Sequence, residues 1–162
     1  MSRSTPKLER SKLYGVTRLA TPRGTLALWA PIPSLVVGRV RGHLEDAFVD
    51  AMLAQGDATL LAEEKTRTYH DWEESTGYAP SARLRLTEWT LRHLESVQGM
   101  HILVRSRILA MGVEVARLTL GRRVLVPYVD RRSYENHLHT ALRTLGICPP
   151  PPEAFVPSFV GL

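Results

Sequence analysis

Three carboxylates and two hydroxyls follow one another closely in the segment TRTYHDWEESTG. Asp71, Glu73 and Glu74 are of residue types that act as general acids or bases, and Ser75 and Thr76 can accept a phosphoryl group. General acid–base catalysis also needs a second group that converges on the carboxylates in a cleft, and the sequence fixes no such group. We therefore interpret the carboxylates as a solvated acidic turn rather than as a catalytic site.

Six histidines raise the question of a metal site. His137 and His139 are two residues apart, which puts them on different sides of a helix, and the sequence contains neither a histidine pair four apart nor an HExxH motif. The other four are scattered and are expected at the surface or beside strands: His43, His70, His93 and His101. The sequence predicts no metal site and no cofactor.

Two further kinds of chemistry lack the residues they need. The single cysteine, Cys148, is followed by four prolines and has no catalytic context around it, so we expect an incidental or packed thiol. Gly38 and Gly42 are too isolated to form a glycine-rich phosphate loop. These observations predict that the protein is not an enzyme.

The residues around the acidic segment indicate strands and helices in alternation. Residues 13–20 and 25–31 are predicted to form a hairpin, and residues 34–40 a third strand. A helix follows from Leu44 and is expected to stop at Gly56-Asp57. The strand that begins at Thr66 is predicted to end at Asp71, and the acidic turn then leads to Pro80.

Pro80 is expected to open an amphipathic helix that ends at Gly99, with one apolar stripe. Its stripe comprises Ala82, Leu86, Trp89, His93 and Val97. Apolar residues wrap most of the next predicted helix, at 107–120, so we expect it to be largely buried. Two more strands and the helix at 133–145 complete an α/β layered fold with a mixed β-sheet and an N-terminal β-hairpin.

Charge and composition suggest three parts. Residues 1–12 are predicted to be a flexible basic arm, residues 13–146 the α/β domain, and residues 147–162 a proline-rich tail with an apolar end. The net charge of +5 comes from residues 1–24, and the arm lacks a recognition motif, so the sequence disfavours nucleic-acid binding. With no apolar run long enough to span a membrane and no signal-like segment, we expect a cytoplasmic protein.

The combination of a strand ending HDWEESTGY, an RLTEW helix, an MHILVRS strand, an AMGVEVARLTLG helix and a VPYVDR strand resembles bacterial SpoIIAA-like proteins. These share the STAS fold of the sporulation anti-anti-sigma factor and of transporter tails. The resemblance covers roughly residues 12–145. It implies an α/β STAS-like fold with a mixed sheet, helices packed mainly on one face, and a non-enzymatic role in binding another protein.

In that family a serine two residues after an aspartate, at the start of a helix, is phosphorylated. Glu73 occupies that position here, and the nearest hydroxyls belong to Ser75, Thr76 and Ser81. This difference favours constitutive binding over a phosphorylation switch. The residues predicted to bind a partner are Asp71, Trp72, Glu73, Glu74, Tyr78, Arg83, Arg105 and Arg107.

Two alternatives stay open at this point. The apolar helix at 108–120 and the SEC14-like relatives of the fold also fit a module that binds a small apolar ligand or a lipid. The apolar tail or an exposed edge strand would fit a homodimer or a larger assembly.

Overall fold

We describe the protein from a computed structural model, which describes residues 8–62 and 65–156. Twelve elements follow one another in the order expected of an α/β fold. The strands are β1 (Glu9–Leu13), β2 (Val16–Thr21), β3 (Gly24–Ile32), β4 (Leu35–Leu44), β5 (Thr66–Tyr78), β6 (Val97–Val104) and β7 (Leu125–Tyr128). The helices are α1 (Asp46–Ala62), α2 (Pro80–Arg92), α3 (Arg107–Leu120), α4 (Arg131–Thr144) and a 3-10 turn, η1 (Pro152–Phe155).

The strands form one mixed sheet in the order β1-β2-β3-β4-β5-β6-β7. The first four pair antiparallel through short turns, and β4 to β7 pair parallel. Parallel neighbours need crossover connections, and α1, α2 and α3 provide them. This arrangement confirms the predicted mixed sheet with an N-terminal hairpin.

Side chains alternate between the two faces of the sheet, and each face has its own core. On β4, Val36 and Val40 pack with α1, α2 and α3, whereas Leu35 and Val37 pack with α4 and η1. Three long helices therefore cover one face and a single long helix covers the other. The prediction that helices pack mainly on one face agrees with this layering.

Part of the predicted N-terminal arm is a strand, because β1 begins at Glu9. Its residues pair with β2 from Glu9↔Ala20 to Leu13↔Val16. The strand lies at the edge of the sheet and most of its side chains are exposed, so its sequence lacks the apolar alternation that marks a half-buried strand. Residues 1–7 of the predicted arm lie outside the described residues.

The boundaries of two helices also differ from the prediction. α1 continues through Gly56 and Asp57 to Ala62. α2 ends at Arg92, and its cap residue His93 is followed by a short turn into β6. None of the described helices has both the length and the apolar character that crossing a membrane requires.

The proline-rich segment after α4 packs against the protein's own sheet. Ala154 of η1 is fully buried, and the ring of Phe155 meets the ring of Trp29 edge-on at a centroid distance of 6.2 Å. Ile147 also packs on this core. The first part of the predicted tail thus docks in cis, and its apolar end at 157–162 lies outside the described residues.

Candidate functional site

The acidic segment is a strand and not the predicted turn. β5 continues past Asp71 to Tyr78, and β4 pairs with it as far as Leu44↔Tyr78. Two irregularities in the pairing, after Arg39 and after Gly42, accommodate the extra residues. The segment forms a strand despite its turn-forming composition, because the neighbouring strand β4 offers backbone hydrogen-bond partners and opposite charges. α2 then begins at Pro80, as predicted.

Two of the predicted carboxylates are bound by an arginine that the sequence did not suggest. The guanidinium of Arg131 donates to Asp71 Oδ2 at 2.8 Å and to Glu73 Oε2 at 2.6 Å. It also donates to Glu135, one turn along α4, at 3.0 Å. Burial works to lower the pKa of Arg131, but the hydrogen bonds and charges of these carboxylates outweigh it and raise that pKa. Arg131 is therefore a permanent cation that holds α4 to β5.

The third predicted carboxylate, Glu74, is also paired with arginines. Glu74 accepts from Arg39 at 3.0 Å and also pairs with Arg41, both on the adjacent strand β4. Partial burial raises the pKa of Glu74, but the two arginines outweigh this and bring it below its usual value. Arg39 also lies 3.7 Å from Asp71. The two arginines therefore favour the ionised form of Glu74, which supports a structural rather than an acid–base role for this residue.

Arg105 and Arg107, predicted to bind a partner together with the acidic segment, lie at the same edge of the sheet as that segment. β6 ends beside Trp72, so Arg105 follows at the expected position. Neither Arg105 nor Arg107 forms an ion pair with these carboxylates in the described part of the chain. Both side chains are exposed.

The three candidate phosphorylation residues differ in accessibility. Ser75 is only 4% exposed, and its hydroxyl lies 3.1 Å from the carbonyl of Gly42 and 3.4 Å from that of Gly77. Ser81 donates to Asp46 on α1. Thr76 is the exposed member of the three. A kinase would reach Ser75 only after β4 and β5 had separated.

Three of the predicted partner-binding residues lie inward. Trp72 is buried on the α1–α3 side of the sheet, and its indole contributes to that core. The Tyr78 ring packs on α3 at Gly112, where an added Cβ would lie 2.9 Å from the phenol oxygen. Arg83 is half-buried on α2. These three residues therefore support the surface of the protein by packing beneath it.

α3 is not largely buried, contrary to the prediction. The residues that face the sheet are small or moderate in size: Leu109, Gly112, Val113, Ala116 and Leu120. On the outer side four apolar residues form a stripe along the helix, which we call the α3 stripe: Ile108 (64% exposed), Met111 (70%), Val115 (48%) and Leu118 (87%). Spacings of three, four and three residues place all four on one side of the helix.

The surroundings of the α3 stripe are basic. Between positions 105 and 123 the chain has five arginines and one glutamate. Glu114 pairs with Arg117 at 3.2 Å. The other four arginines are exposed, and none forms an ion pair in the described part of the chain: Arg105, Arg107, Arg122 and Arg123. An apolar stripe with unpaired cations at both ends favours an apolar, acidic partner.

The opposite face of the sheet contains a cluster of histidines and tyrosines that sequence reasoning treated as separate residues. Tyr69 hydrogen-bonds His137 at 2.9 Å, His101 hydrogen-bonds Tyr128 at 3.0 Å, and the two imidazoles stack at 4.4 Å. Burial, followed by the charge of His137, lowers the pKa of His101 to about 4. Within residues 8–62 and 65–156, no three side chains converge in the manner of a metal site.

Comparison with solved structures assigns the fold. A structure of an uncharacterised DUF3478-family protein with a SpoIIAA-like fold from Shewanella loihica PV-4 superposes with a TM-score of 0.51 at 13% identity, covering 85% of this chain and 98% of that one. The anti-sigma factor antagonist SpoIIAA in its unphosphorylated form superposes with a TM-score of 0.51 at 19% identity, covering 76% and 99%. The chain has a SpoIIAA-like fold.

The sequence itself matches no family model and no curated protein. The SpoIIAA-like fold therefore rests on architecture, which agrees with the resemblance seen in the order of elements. At these identities the likeness concerns the fold, and the function has to be argued from the surface.

Proposed function

We propose that this protein is a non-enzymatic regulatory module that binds another protein through the α3 stripe. The observation that carries the proposal is the exposure of four consecutive apolar positions on one side of α3. Large exposed apolar patches on small proteins commonly mark interaction surfaces, since leaving such side chains in water is unfavourable. Met111 and Leu118, the two most exposed members, would be the anchors.

The partner that fits this surface is a protein segment with apolar side chains flanked by carboxylates. Apolar anchors would cover the α3 stripe, as an amphipathic segment covers a groove or face. Carboxylates on either side would meet Arg105 and Arg107 at one end and Arg122 and Arg123 at the other. Such charges increase the association rate and fix the orientation more than they add affinity.

The predicted partner-binding residues take two roles in this proposal. Arg105 and Arg107 contact the partner directly. Trp72 and Tyr78 support the stripe by packing beneath α2 and α3, and Arg83 is half-buried on α2. Asp71, Glu73 and Glu74 are paired with arginines of β4 and α4 and take no part in the stripe. The SpoIIAA-like fold supports a regulatory binding role in general terms, because one solved structure of this fold is described as an anti-sigma factor antagonist.

Site-specific photo-crosslinking followed by a direct binding measurement tests the proposal. A photo-reactive residue at Met111 should crosslink one protein in extracts of the source organism, whereas the same residue at His139, exposed on α4, should not. Isothermal titration with the purified partner should then show at least tenfold weaker binding for Met111→Lys with Leu118→Lys. His139→Lys, exposed on α4 at the other face of the sheet, is the control.

Two results would overturn the proposal. One is equal affinity of the doubly substituted and unsubstituted proteins for the crosslinked partner. The other is a doubled mass in light scattering that reverts to a single chain in the Met111→Lys, Leu118→Lys protein, because the stripe would then be a homodimer interface.

A further inference from the structure

A cavity of about 100 Å³ lies between the sheet and helices α1, α2 and α3. Its walls are mainly aliphatic and aromatic, with side chains such as Val36, Met52, Leu109 and Val113. Protein interiors are normally close-packed. A void of this size therefore leaves the atoms that line it without neighbours on one side.

One wall of the cavity is polar. Thr66, Thr68, His70 and Trp72 alternate along β5, so all four side chains lie on the same face of the sheet, and all four line the cavity. Each has a buried polar atom without a hydrogen-bond partner among the described residues: Thr66 Oγ1, Thr68 Oγ1, His70 Nδ1 and Trp72 Nε1.

Four unpaired groups on one wall of one cavity are hard to explain as packing. Buried polar groups in native proteins nearly always have partners, because an unpaired one loses its hydration without compensation. Thr90 provides a contrast within the same cavity, since its hydroxyl donates to the Leu86 carbonyl at 2.9 Å. The β5 groups are arranged as if a bound molecule completes their hydrogen bonds.

We propose that this cavity binds a small, uncharged, mainly apolar organic molecule that carries a hydroxyl or carbonyl group. The indole N–H of Trp72 can only donate, the threonine hydroxyls can donate or accept, and a neutral imidazole can do either. Burial lowers the pKa of His70 to about 4, so it is uncharged at neutral pH. Among the other side chains that line the cavity, Arg83 is the one that carries a charge, and it is half-buried.

The volume limits the size of the ligand. A cavity of roughly 150 Å³ holds benzene, and a water occupies about 30 Å³ in the liquid. The space here, about 100 Å³, is smaller than that and would take either a compact molecule of about four non-hydrogen atoms, such as a small alcohol or ketone, or a cluster of about three waters. The ligand site is separate from the α3 stripe, which is on the outside of α3, so the two proposals can fail independently.

Titration of the full chain with 2-propanol and isobutane tests the proposal. The two probes have equal numbers of non-hydrogen atoms and differ in a hydroxyl for a methyl. 2-Propanol should bind about tenfold more tightly than isobutane, because only 2-propanol supplies partners to the β5 groups. Its binding should shift the indole ¹H–¹⁵N signal of Trp72, assigned by its loss in Trp72→Phe.

Isosteric variants separate a ligand site from a packing defect. Thr66→Val with Thr68→Val keeps the shape of the wall, and the preference for 2-propanol should fall from about tenfold to about twofold or less. Thr90→Val, whose hydroxyl is already bonded inside the protein, should keep the tenfold preference. Thr68→Val alone, which also exchanges a hydroxyl for a methyl, repeats the test should the double variant fail to fold.

Three outcomes would overturn the proposal. The first is that neither probe perturbs a lining residue. The second is equal affinity for 2-propanol and isobutane. The third is that magnetic relaxation dispersion detects long-lived internal waters in the free protein that saturating 2-propanol does not displace.

Discussion

Arg131, the first residue of α4, donates a hydrogen bond at 2.8 Å to the carboxylate of Asp71, which precedes it by 60 residues. Asp71 is buried, and the same guanidinium holds Glu73 and Glu135. One side chain thus joins the helix on the less covered face of the sheet to the middle of its longest strand.

Arg131→Met should lower the free energy of unfolding by about 2 kcal/mol, because it leaves buried carboxylate oxygens with fewer donors. Arg39, 3.7 Å from Asp71, offsets part of the loss. Urea denaturation monitored by circular dichroism measures the change. Arg132→Met, exposed at the next position, is the control and should stay within about 0.5 kcal/mol of the original protein. Equal effects of the two substitutions would contradict the structural role of Arg131.

The order of strands and helices could be predicted because each element has its own local periodicity. The partner of Asp71 could not, because nothing local to Asp71 or Arg131 encodes a contact across 60 residues. Sequence reasoning named Arg105 and Arg107 as residues beside Asp71 that bind a partner, and it did not name Arg131. Partners within a parallel sheet depend on how the helices pack across it, which periodicity does not specify.

The hydroxyl of Ser75 is part of the β4–β5 pairing, 3.1 Å from the Gly42 carbonyl. Ser75→Ala should destabilise the fold by about 1 kcal/mol through loss of this hydrogen bond. Ser75→Glu should cost about 3 kcal/mol or more, because it buries a carboxylate beside carbonyl oxygens.

Thermal denaturation of the two Ser75 variants checks both values. Thr76→Ala and Thr76→Glu are the matched controls at the neighbouring exposed hydroxyl, where changes of no more than about 0.5 kcal/mol are expected. A protein that is fully phosphorylated on Ser75 and still melts like the unmodified chain would rule out this account.

The exposure of α3 is a second feature that could not be predicted from the sequence. Its apolar residues are distributed nearly all round the helix, a pattern typical of burial on every side. The structure places α3 outermost on the sheet, with small residues such as Gly112 and Ala116 turned inward and Met111 and Leu118 turned outward. Sequence pattern identified an unusually apolar helix, and only the packing revealed which side has no neighbour.

Stability should fall as the pH decreases from about 6.5 to 4. Burial lowers the pKa of His70 to about 4, and burial together with the charge of His137 does the same for His101. An unfolded histidine has a pKa near 6.5, so in this window the unfolded chain binds protons that the folded chain excludes. For His70 alone the loss should be on the order of 3 kcal/mol between pH 7 and 4.

His70→Gln should flatten this dependence, because glutamine does not titrate. Urea denaturation at intervals between pH 7 and 4.5 measures the slope for the original and substituted proteins. His139→Gln, exposed on α4, serves as the control and should preserve the original slope. An unchanged slope in His70→Gln would mean that His70 is not buried in its neutral form.

Gly56 offers a substitution for which local and tertiary rules predict opposite signs. The sequence suggested a helix end at this glycine, yet α1 passes through it, and Gly56→Ala on helix propensity alone should stabilise by about 1 kcal/mol. A Cβ at this position would lie 2.7 Å from Trp89 Cζ2, and the indole is anchored by its bond to Asp57 at 2.7 Å. The ring cannot shift without weakening that bond.

Gly56→Ala should therefore destabilise the protein by about 1–2 kcal/mol, despite the gain in propensity. In a Trp89→Leu background the obstruction is gone, and the same Gly56→Ala change should become stabilising by up to about 1 kcal/mol. Urea denaturation of the four proteins of this cycle gives the coupling directly. A stabilising effect of Gly56→Ala in the presence of Trp89 would show that the close approach of α2 to α1 is not what requires glycine at this position.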